Sequence, residues 1–262
     1  SVGSGGSGRN GGHLCQGWPN DFHHISNQLN QHDADLAWQA GMAAVDMVAA
    51  RVRNHDIQCD LQFGYLHAAL HQRHMNELLA MQDEWSQRGY DKFTALADTP
   101  SLAPHINSKA YIGGLYDTGS GQIQPLKYLL GLARAATAAG AKIFEHSRVT
   151  KIDRGKQKTL HFDNAPSLTA ARVLLCGNAY LTHIGLPEMT RRLAQVTSSV
   201  LATAPLSDNM IQHILPSRAT VADCNTALNY FRIDADNRMI FGGRASYTNV
   251  NLGNVEADLR RR

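Results

Sequence analysis

The first twelve residues have the composition of a loop that binds a negatively charged group. Six of them are glycine, and Arg9 and Asn10 stand among the glycines. Glycine lets the main chain adopt positive φ and approach a ligand closely. Successive free N–H groups form a concave anion site, and an arginine adds a fixed charge. The stretch therefore predicts contact with a phosphate or a phosphate-bearing cofactor, although a flexible Gly/Ser linker has the same composition.

Metal chemistry is the second possibility, because the chain has thirteen histidines. His67, His71 and His74 have a spacing that could place them on one helix face. No HExxH motif or His/Cys ligand set accompanies them, so we expect surface or packing histidines and no metal site. The segment 234–237 lacks the glycine and distal glutamate of a calcium loop and predicts a hairpin turn.

The composition excludes several classes of protein. The chain has 262 residues, 43% hydrophobic and 18% charged, which is typical of a globular protein with one or two domains. The net charge of +3 is too small to indicate nucleic acid as a partner. No apolar run is long enough to predict a transmembrane segment. The four cysteines form no CxxC pair and predict free thiols in a reducing compartment, so we expect a cytoplasmic protein.

Hydrophobic periodicity predicts the elements that must position the loop. Helical spacing predicts helices over 31–53 and 72–88 and a helix that begins at Pro125 and ends at Gly140. Residues 94–108 are expected to be irregular and 117–121 to form a loop. Strands are predicted at 61–66, 111–116, 141–145, 148–153, 159–162, 172–176 and 195–204, with a hairpin of 228–233 and 238–242.

One predicted strand ends in a loop of small residues. The apolar run 173–176 leads into 177–179, and open α/β sheets bind ligands where such buried strands end. The elements alternate between an α/β layer and antiparallel strands. This order predicts two interleaved domains, one with a nucleotide-binding sheet and one with an antiparallel sheet built from two separate stretches.

Several strings together identify a family resemblance. They are Ser-Gly-Arg-Asn-Gly-Gly at 7–12, Gly-Leu-Tyr-Asp at 114–117, Gln-Pro-Leu-Lys-Tyr-Leu-Leu-Gly at 124–131, Asn-Tyr-Phe-Arg at 229–232 and Phe-Gly-Gly at 241–243. In order and spacing the chain resembles the FAD-dependent D-amino-acid-oxidase (DAO) superfamily. It most resembles the bacterial gamma-glutamylputrescine oxidoreductases.

The resemblance implies a fold and its division along the chain. The fold is mixed α/β, with a Rossmann-like FAD-binding sheet interleaved with an antiparallel-sheet substrate domain. Residues 1–57 and 117–188 would form the FAD-binding parts, and residues 58–116 and 189–262 the substrate domain.

The resemblance also implies site residues. The opening loop would run along the FAD pyrophosphate toward the flavin, Val149 would read the adenine edge, and Cys176 with Gly177 would form a second FAD turn. The implied cofactor-binding residues are Ser7, Gly8, Arg9, Asn10, Gly11, Gly12, Val149, Cys176 and Gly177. Tyr230 and Arg232 share one strand face by alternation and would line the substrate cavity, although Tyr230 could equally pack and Arg232 could sit at the sheet rim.

The implied reaction is oxidation of an amine C–N bond. A hydride passes to the flavin, the imine hydrolyses to an aldehyde, and molecular oxygen is reduced to peroxide. The small-molecule amine and oxygen are the expected partners, and no catalytic acid–base residue is identified. An oxidase or dehydrogenase of glycine, sarcosine or a D-amino acid is an alternative, in which Arg232 would clamp the carboxylate. A non-catalytic fragment without flavin is a third.

The chain departs from the family pattern at both ends. Relatives carry a GxGxxG fingerprint between a strand and a helix, followed by an acidic residue for the ribose. Here Gly3 to Gly8 has the glycines but no strand before them. We expect a fragment that lacks an N-terminal βαβ unit and a C-terminal segment, and that alone binds FAD weakly or not at all.

Overall fold

The elements of the fold come from a computed structural model, which describes residues 1–19 and 22–246. The helices are α1 Phe22–Ser26, α2 Gln31–Asn54, α3 Gln72–Gln87, α4 Thr99–Leu102, α5 Pro125–Ala138, α6 Pro187–Arg192 and α7 Asp208–Ile214, with a 3-10 helix at Asn178–His183. The strands are β1 His13–Leu14, β2 Gln62–Ala69, β3 Phe93–Leu96, β4 Gly113–Gln122, β5 Val149–Asp153, β6 Lys158–Phe162, β7 Leu168–Ala170, β8 Thr197–Ala202, β9 Thr220–Asp223, β10 Tyr230–Ile233 and β11 Met239–Ser246.

The long helices form where the sequence predicts them, because each has an apolar stripe, and α2 and α5 also have a side-chain cap. Asn30 caps α2 by accepting from the Asp33 N–H at 3.0 Å. Gln124 caps α5 in the same way, and Pro125 occupies its first turn. Gly140, with φ of +92°, follows the end of α5. The predictions for 31–53, 72–88 and the helix from Pro125 are confirmed.

Eight strands form one mixed sheet in the order β1-β4-β2-β9-β10-β11-β8, with β3 also paired to β4. Only β2 and β9 run parallel in this sheet, and all its other pairs are antiparallel. The ten-residue β4 pairs with three partners, so it links the glycine-rich opening of the chain to the rest of the sheet. The predicted hairpin is confirmed as β10 and β11, and the predicted strand at 195–204 is confirmed as β8.

The apolar core covers both faces of this sheet. On one face Leu66, Val221 and Phe231 pack with Ile211 and Leu215, which lie in and just after α7. On the other face, Met75 and Leu78 of α3 pack in one cluster with Ala69, Tyr90, Phe93 and Leu115. Fully burying one leucine side chain contributes about 1.5–3 kcal/mol. The strands that carry polar residues toward the opening loop are therefore anchored by apolar neighbours on both sides.

The prediction of a loop at 117–121 is wrong, because these residues are the second half of β4. A β-carbon added at Gly121 would lie 2.0 Å from the carbonyl oxygen of Gln62, and one at Gly119 would lie 2.2 Å from the Tyr90 hydroxyl. The glycines thus allow neighbouring groups to approach the strand closely, rather than making a turn. The pairing with β2 and β3, distant in sequence, overrides the local turn composition.

The prediction that 94–108 is irregular is also wrong in part. Most of β3 and all of α4 lie in this range. Asp98 and Ser101 form a reciprocal capping box at the start of α4. The strand β3 exists because it pairs with β4, and a pairing partner cannot be identified from the strand's own four residues.

Two predicted strands of the nucleotide-binding sheet, 141–145 and 172–176, are wrong: neither forms a strand. Leu174 is 88% exposed and Phe144 is 75% exposed. No strand among the described residues runs beside either segment, and a strand requires a partner for its backbone groups. The apolar sequence by itself therefore does not make these segments strands.

The remaining strands form a separate antiparallel sheet in the order β5-β6-β7. It confirms the predicted strands at 148–153 and 159–162. The proposed domain boundary between 116 and 117 falls inside β4. The second predicted part of the substrate domain, 189–262, lies outside the described residues beyond residue 246. No described helix is long and apolar enough to span a bilayer.

The burial of Leu66 gives a test of the fold. Leu66 lies in β2 with 0% of its surface exposed, so Leu66→Ala should lower the free energy of unfolding by about 2–5 kcal/mol through lost burial and a residual cavity. The matched control is Leu36→Ala on α2, where the side chain is 50% exposed and a change under about 1 kcal/mol is expected. Equal losses in urea unfolding of the two variants would contradict this packing.

Candidate functional site

The glycine-rich opening is joined to the large sheet at Gly12. The N–H of Ile123 donates to the Gly12 carbonyl at 2.8 Å, and His13, the next residue, pairs with Gln122 of β4. Gly12 has φ of +74°, and a β-carbon added there would lie 2.1 Å from the Ile123 carbonyl oxygen. This close approach requires glycine. The opening is therefore a packed part of the fold, and the alternative of a flexible linker is wrong.

The side chain of Asn10 holds the loop in shape. Its amide nitrogen donates to the carbonyls of Gly6 and Ser7, both at 3.0 Å, and its oxygen accepts from the Gly12 N–H at 2.9 Å. A β-carbon added at Gly8 would lie 2.2 Å from the Gly3 carbonyl oxygen. Asn10 and Gly8 thus keep two parts of the loop close together, a role that the sequence did not reveal.

The exposed part of the loop offers unused donors. The backbone N–H groups of Gly5, Gly6 and Ser7 donate to no partner within the described residues. Arg9 is exposed and forms no ion pair in the same set of residues. Consecutive free N–H groups beside an arginine favour an anion such as a phosphate. This part of the chain fits the phosphates of a dinucleotide.

Two other segments with predicted cofactor residues lie near the opening. A β-carbon added at Gly5 would lie 3.2 Å from the ring of Tyr180, in the 3-10 helix that follows Cys176 and Gly177. The Val2 N–H donates to the Glu145 carboxylate, and a groove of about 600 Å³ lies between residues 1–2 and the segments 143–148 and 163–164. Val149 follows this groove and begins β5. The opening thus contacts Tyr180 and Glu145, which lie a few residues from the predicted cofactor residues Gly177 and Val149.

Arg232 and Tyr230 both contact the buried end of the loop. The Arg232 guanidinium, 4% exposed, donates from Nε to the Gly11 carbonyl at 2.5 Å and from Nη1 to Gln122 Oε1 at 3.3 Å. The Tyr230 ring lies between Gly11 and Gly242, where added β-carbons would come within 2.5 Å and 2.0 Å of it. The two side chains therefore share one face of β10. Arg232 is buried, which does not fit the alternative that it sits at the sheet rim.

His13 lies between two tyrosines at the junction of loop and sheet. Its ring packs edge-on against Tyr230 and Tyr65, with ring centroids 5.0 and 5.5 Å apart, and its Nδ1 lies 3.2 Å from the Tyr65 hydroxyl. Burial lowers the pKa of His13 to about 3, and the charges of Arg232 and His67 add to the effect. His13 is therefore neutral at physiological pH.

Further polar side chains extend this cluster along β2 and β4. The rings of Tyr65 and His67 lie 4.8 Å apart, and Asp117 accepts from the Tyr90 hydroxyl at 2.6 Å and from the Gly119 N–H at 2.8 Å. Burial raises the pKa of Tyr65 well above its usual range. The sequence alone does not indicate a role for His13, Tyr65 or Asp117. It shows the alternating pattern of β2, but not which residues the polar face of that strand contacts.

The three histidines considered as a helix face are divided between elements. His67 lies in β2, His71 precedes α3 without a capping side-chain hydrogen bond, and His74 lies inside α3, so the idea of one shared helix face is wrong. Across residues 1–19 and 22–246, no group of three or more histidine, cysteine or acidic side chains is arranged to hold a metal ion. The four cysteines are unpaired, as the sequence predicts.

Comparison with known proteins agrees with the geometry of the loop and the sheet. The sequence profile of the DAO family, described as FAD dependent oxidoreductase, matches residues 1–262. A probable oxidoreductase OrdL of Haemophilus influenzae is 34% identical over 253 residues, which are 94% of this chain and 58% of that protein. The gamma-glutamylputrescine oxidoreductase of Escherichia coli is 30% identical over 246 residues, which are 94% of this chain and 57% of that protein. The chain spans somewhat more than half the length of these relatives.

Solved structures show the same fold at low sequence identity. Glycine oxidase from Geobacillus kaustophilus superposes with a TM-score of 0.68 at 18% identity, covering 93% of this chain and 62% of that one. L-Proline dehydrogenase from P. horikoshii superposes with a TM-score of 0.72 at 14% identity, covering 98% of this chain and 65% of that one. These likenesses confirm the predicted fold class. The chain belongs to the DAO family of FAD-dependent oxidoreductases, as its motifs indicate.

The position of Gly12 gives a test of the loop. Gly12→Ala should lower the free energy of unfolding by at least about 1 kcal/mol, because its β-carbon would meet Ile123 at a left-handed φ. The control is Gly6→Ala in the same loop, where an added β-carbon meets nothing within 4 Å and a change within about 0.5 kcal/mol is expected. The measurement is thermal unfolding of both variants, and a flexible opening would leave them alike.

The polar cluster also predicts a pH dependence of stability. Burial lowers the pKa of His67 to about 4 from its ordinary 6.5, against a smaller opposing effect of Asp117. The unfolded chain therefore binds more protons than the folded one between these values. We expect the free energy of unfolding to fall as the pH falls from about 6.5 to about 4.

The variant His67→Gln should make this fall shallower, because it removes one group that must stay neutral in the fold. His32→Gln, which changes an exposed histidine of α2, is the matched control and should follow the unmodified protein. Urea unfolding at a series of pH values measures the slope. A slope in His67→Gln as steep as in the unmodified protein would contradict the assignment.

Proposed function

From membership of this family, we propose that the protein carrying this chain oxidises the C–N bond of a small amine such as gamma-glutamylputrescine, with FAD as cofactor and molecular oxygen as final electron acceptor. The observation that carries the proposal is the junction at Gly11–His13, where a loop suited to phosphates meets the polar face of a sheet. The Escherichia coli relative is named for this substrate, which supports the choice of amine.

The cofactor would be held by this chain's main-chain donors and by Arg9. The free N–H groups of Gly5, Gly6 and Ser7 would bind phosphate oxygens. Gly11 and Gly12 remain proposed contacts for the flavin, and the positions that their β-carbons would take are occupied by Tyr230 and Ile123. When bound, FAD supplies the hydride acceptor for the amine carbon and passes the electrons to oxygen, and the imine is hydrolysed to an aldehyde. Val149, Cys176 and Gly177 remain proposed contacts for the adenosine side.

The charges around the junction favour an uncharged amine. Arg232 is a buried cation whose charge contributes to keeping His13 neutral, so the same field disfavours a substrate ammonium beside them. The Asp117 carboxylate is already engaged by Tyr90 and Gly119. A neutral amine has the lone pair that assists hydride departure from the neighbouring carbon. The proposed role of these residues is to orient such an amine and to exclude water.

A second candidate is oxidation of glycine, sarcosine or a D-amino acid, by an oxidase or a dehydrogenase. The observation that favours it is Arg232, which is buried and forms no ion pair with any carboxylate of the described residues. Buried charges usually have a partner of opposite sign. The carboxylate of an amino-acid substrate would supply one, and Tyr230 would lie beside it on β10.

We propose that the chain is divided between cofactor binding and substrate binding. Residues 1–57 and 117–188 would serve the cofactor, and residues 58–116 and 189–262 would serve the substrate. The unpaired cysteines support a cytoplasmic location.

Anaerobic reduction of the flavin tests the function. The purified natural protein that contains these residues should carry FAD, and gamma-glutamylputrescine should bleach its absorbance faster than putrescine, glycine, sarcosine or D-alanine. In air the same amine should produce peroxide. Bleaching by the amino acids alone would favour the second candidate, bleaching without peroxide would indicate a dehydrogenase, and a protein that never binds flavin would contradict the proposal.

A further inference from the structure

His13 is the side chain on which the loop and two strands of the substrate sheet converge. It follows Gly12 directly, and its ring contacts Tyr65 of β2 and Tyr230 of β10. A β-carbon added at Gly11 would lie 3.4 Å from the His13 Cδ2, next to Nε2 in the ring. The Cδ2 side of the imidazole thus faces Gly11 at the buried end of the glycine loop.

The two ring nitrogens of His13 are in different situations. Nδ1 pairs with the Tyr65 hydroxyl at 3.2 Å, whereas Nε2 is buried and has no hydrogen-bond partner in the described part of the chain. Leaving a buried polar atom unsatisfied costs about 1–3 kcal/mol, and such atoms call for an explanation. A ligand that reaches the junction would supply the missing bond.

The hydrogen bond between Tyr65 and His13 decides what kind of bond Nε2 can make. The Tyr65 hydroxyl has a single proton, and when it accepts from Nδ1–H, the proton of the neutral imidazole lies on Nδ1. This tautomer leaves a lone pair on Nε2. The buried nitrogen is then an acceptor, and it matches a ligand that carries an N–H donor.

We propose that His13 Nε2 accepts a hydrogen bond from an N–H of the substrate amine, and that Tyr65 is a positioning residue that fixes the His13 tautomer. The inference rests on the proposed function and adds the residue that recognises the reacting nitrogen. No proton is transferred: His13 orients the neutral amine beside the cofactor loop. Tyr230 and Tyr65 hold the ring edge-on.

Three variants of His13 separate substrate recognition from packing. His13→Gln places an amide oxygen near the Nε2 position, His13→Asn places its amide near the Nδ1 position, and His13→Phe keeps the aromatic contacts without either nitrogen. Stopped-flow anaerobic flavin reduction by gamma-glutamylputrescine gives the dissociation constant and the limiting rate for each. FAD content and thermal unfolding show whether each variant is folded and loaded.

We expect His13→Phe and His13→Asn to lose about tenfold or more in the ratio of limiting rate to dissociation constant, the size of one lost hydrogen bond, and His13→Gln to recover most of the loss. Rescue by Asn instead of Gln would show that Nδ1 alone matters, and would overturn the proposal. If His13→Phe has the same limiting rate and dissociation constant as the unmodified protein, the proposal is also overturned. If no amine reduces the flavin of the unmodified protein, the result instead contradicts the proposed function itself.

An amine without N–H bonds gives a second measurement, independent of how well each variant folds. Dimethylation of the reacting nitrogen of gamma-glutamylputrescine should raise the dissociation constant in the unmodified protein and in His13→Gln. In His13→Phe the same methylation should have a smaller effect, since the partner of the lost N–H is already gone. An equal methylation effect in the unmodified protein and in His13→Phe would show that the amine bonds elsewhere.

Discussion

The close approach of Gly12 to β4 is the contact on which the rest of the site depends. Only a residue without a side chain can lie there, and once it does, the Ile123 N–H and the Arg232 guanidinium hold the carbonyls of Gly12 and Gly11. This contact fixes one end of the loop, while Asn10 fixes its curvature. The free N–H groups at 5–7 and the imidazole of His13 thus lie on either side of the part of the loop that Asn10 and Gly12 hold in place.

At β10 the two faces of the sheet have different roles: one packs into the apolar core, and the other places polar side chains against the loop. Phe231 and Ile233 of β10 pack into the apolar core, whereas Tyr230 and Arg232 of the same strand face the loop. The apolar packing stabilises the strands, and this makes it possible to hold buried polar groups nearby. The polar cluster is costly to bury, and its members limit the cost by bonding to one another, as Asp117 does with Tyr90 and Gly119.

The relation to the DAO family and the local geometry support the same division of labour. The glycine loop has the features of a phosphate-binding main chain, and the antiparallel strands supply the side chains that would differ between substrates. In this chain those side chains are aromatic, neutral or cationic at the junction. The proposal of an uncharged amine rests on a buried arginine, a neutral histidine and two tyrosines, and a carboxylate at Arg232 would distinguish the second candidate.

The sequence by itself determined those features whose cause is local. The helices from Gln31 and Pro125 follow from caps and apolar periodicity, the helix from Gln72 follows from apolar periodicity, and the hairpin at 234–237 follows from its turn. The glycine motif and the shared face of Tyr230 and Arg232 were also readable, since composition and alternation need no partner. Only the tertiary structure decided that 117–121 is a strand, that 141–145 and 172–176 are not, and that His13 meets Tyr65 fifty-two residues away. Strand pairing and buried hydrogen bonds join residues that are distant in sequence, so no local pattern specifies them.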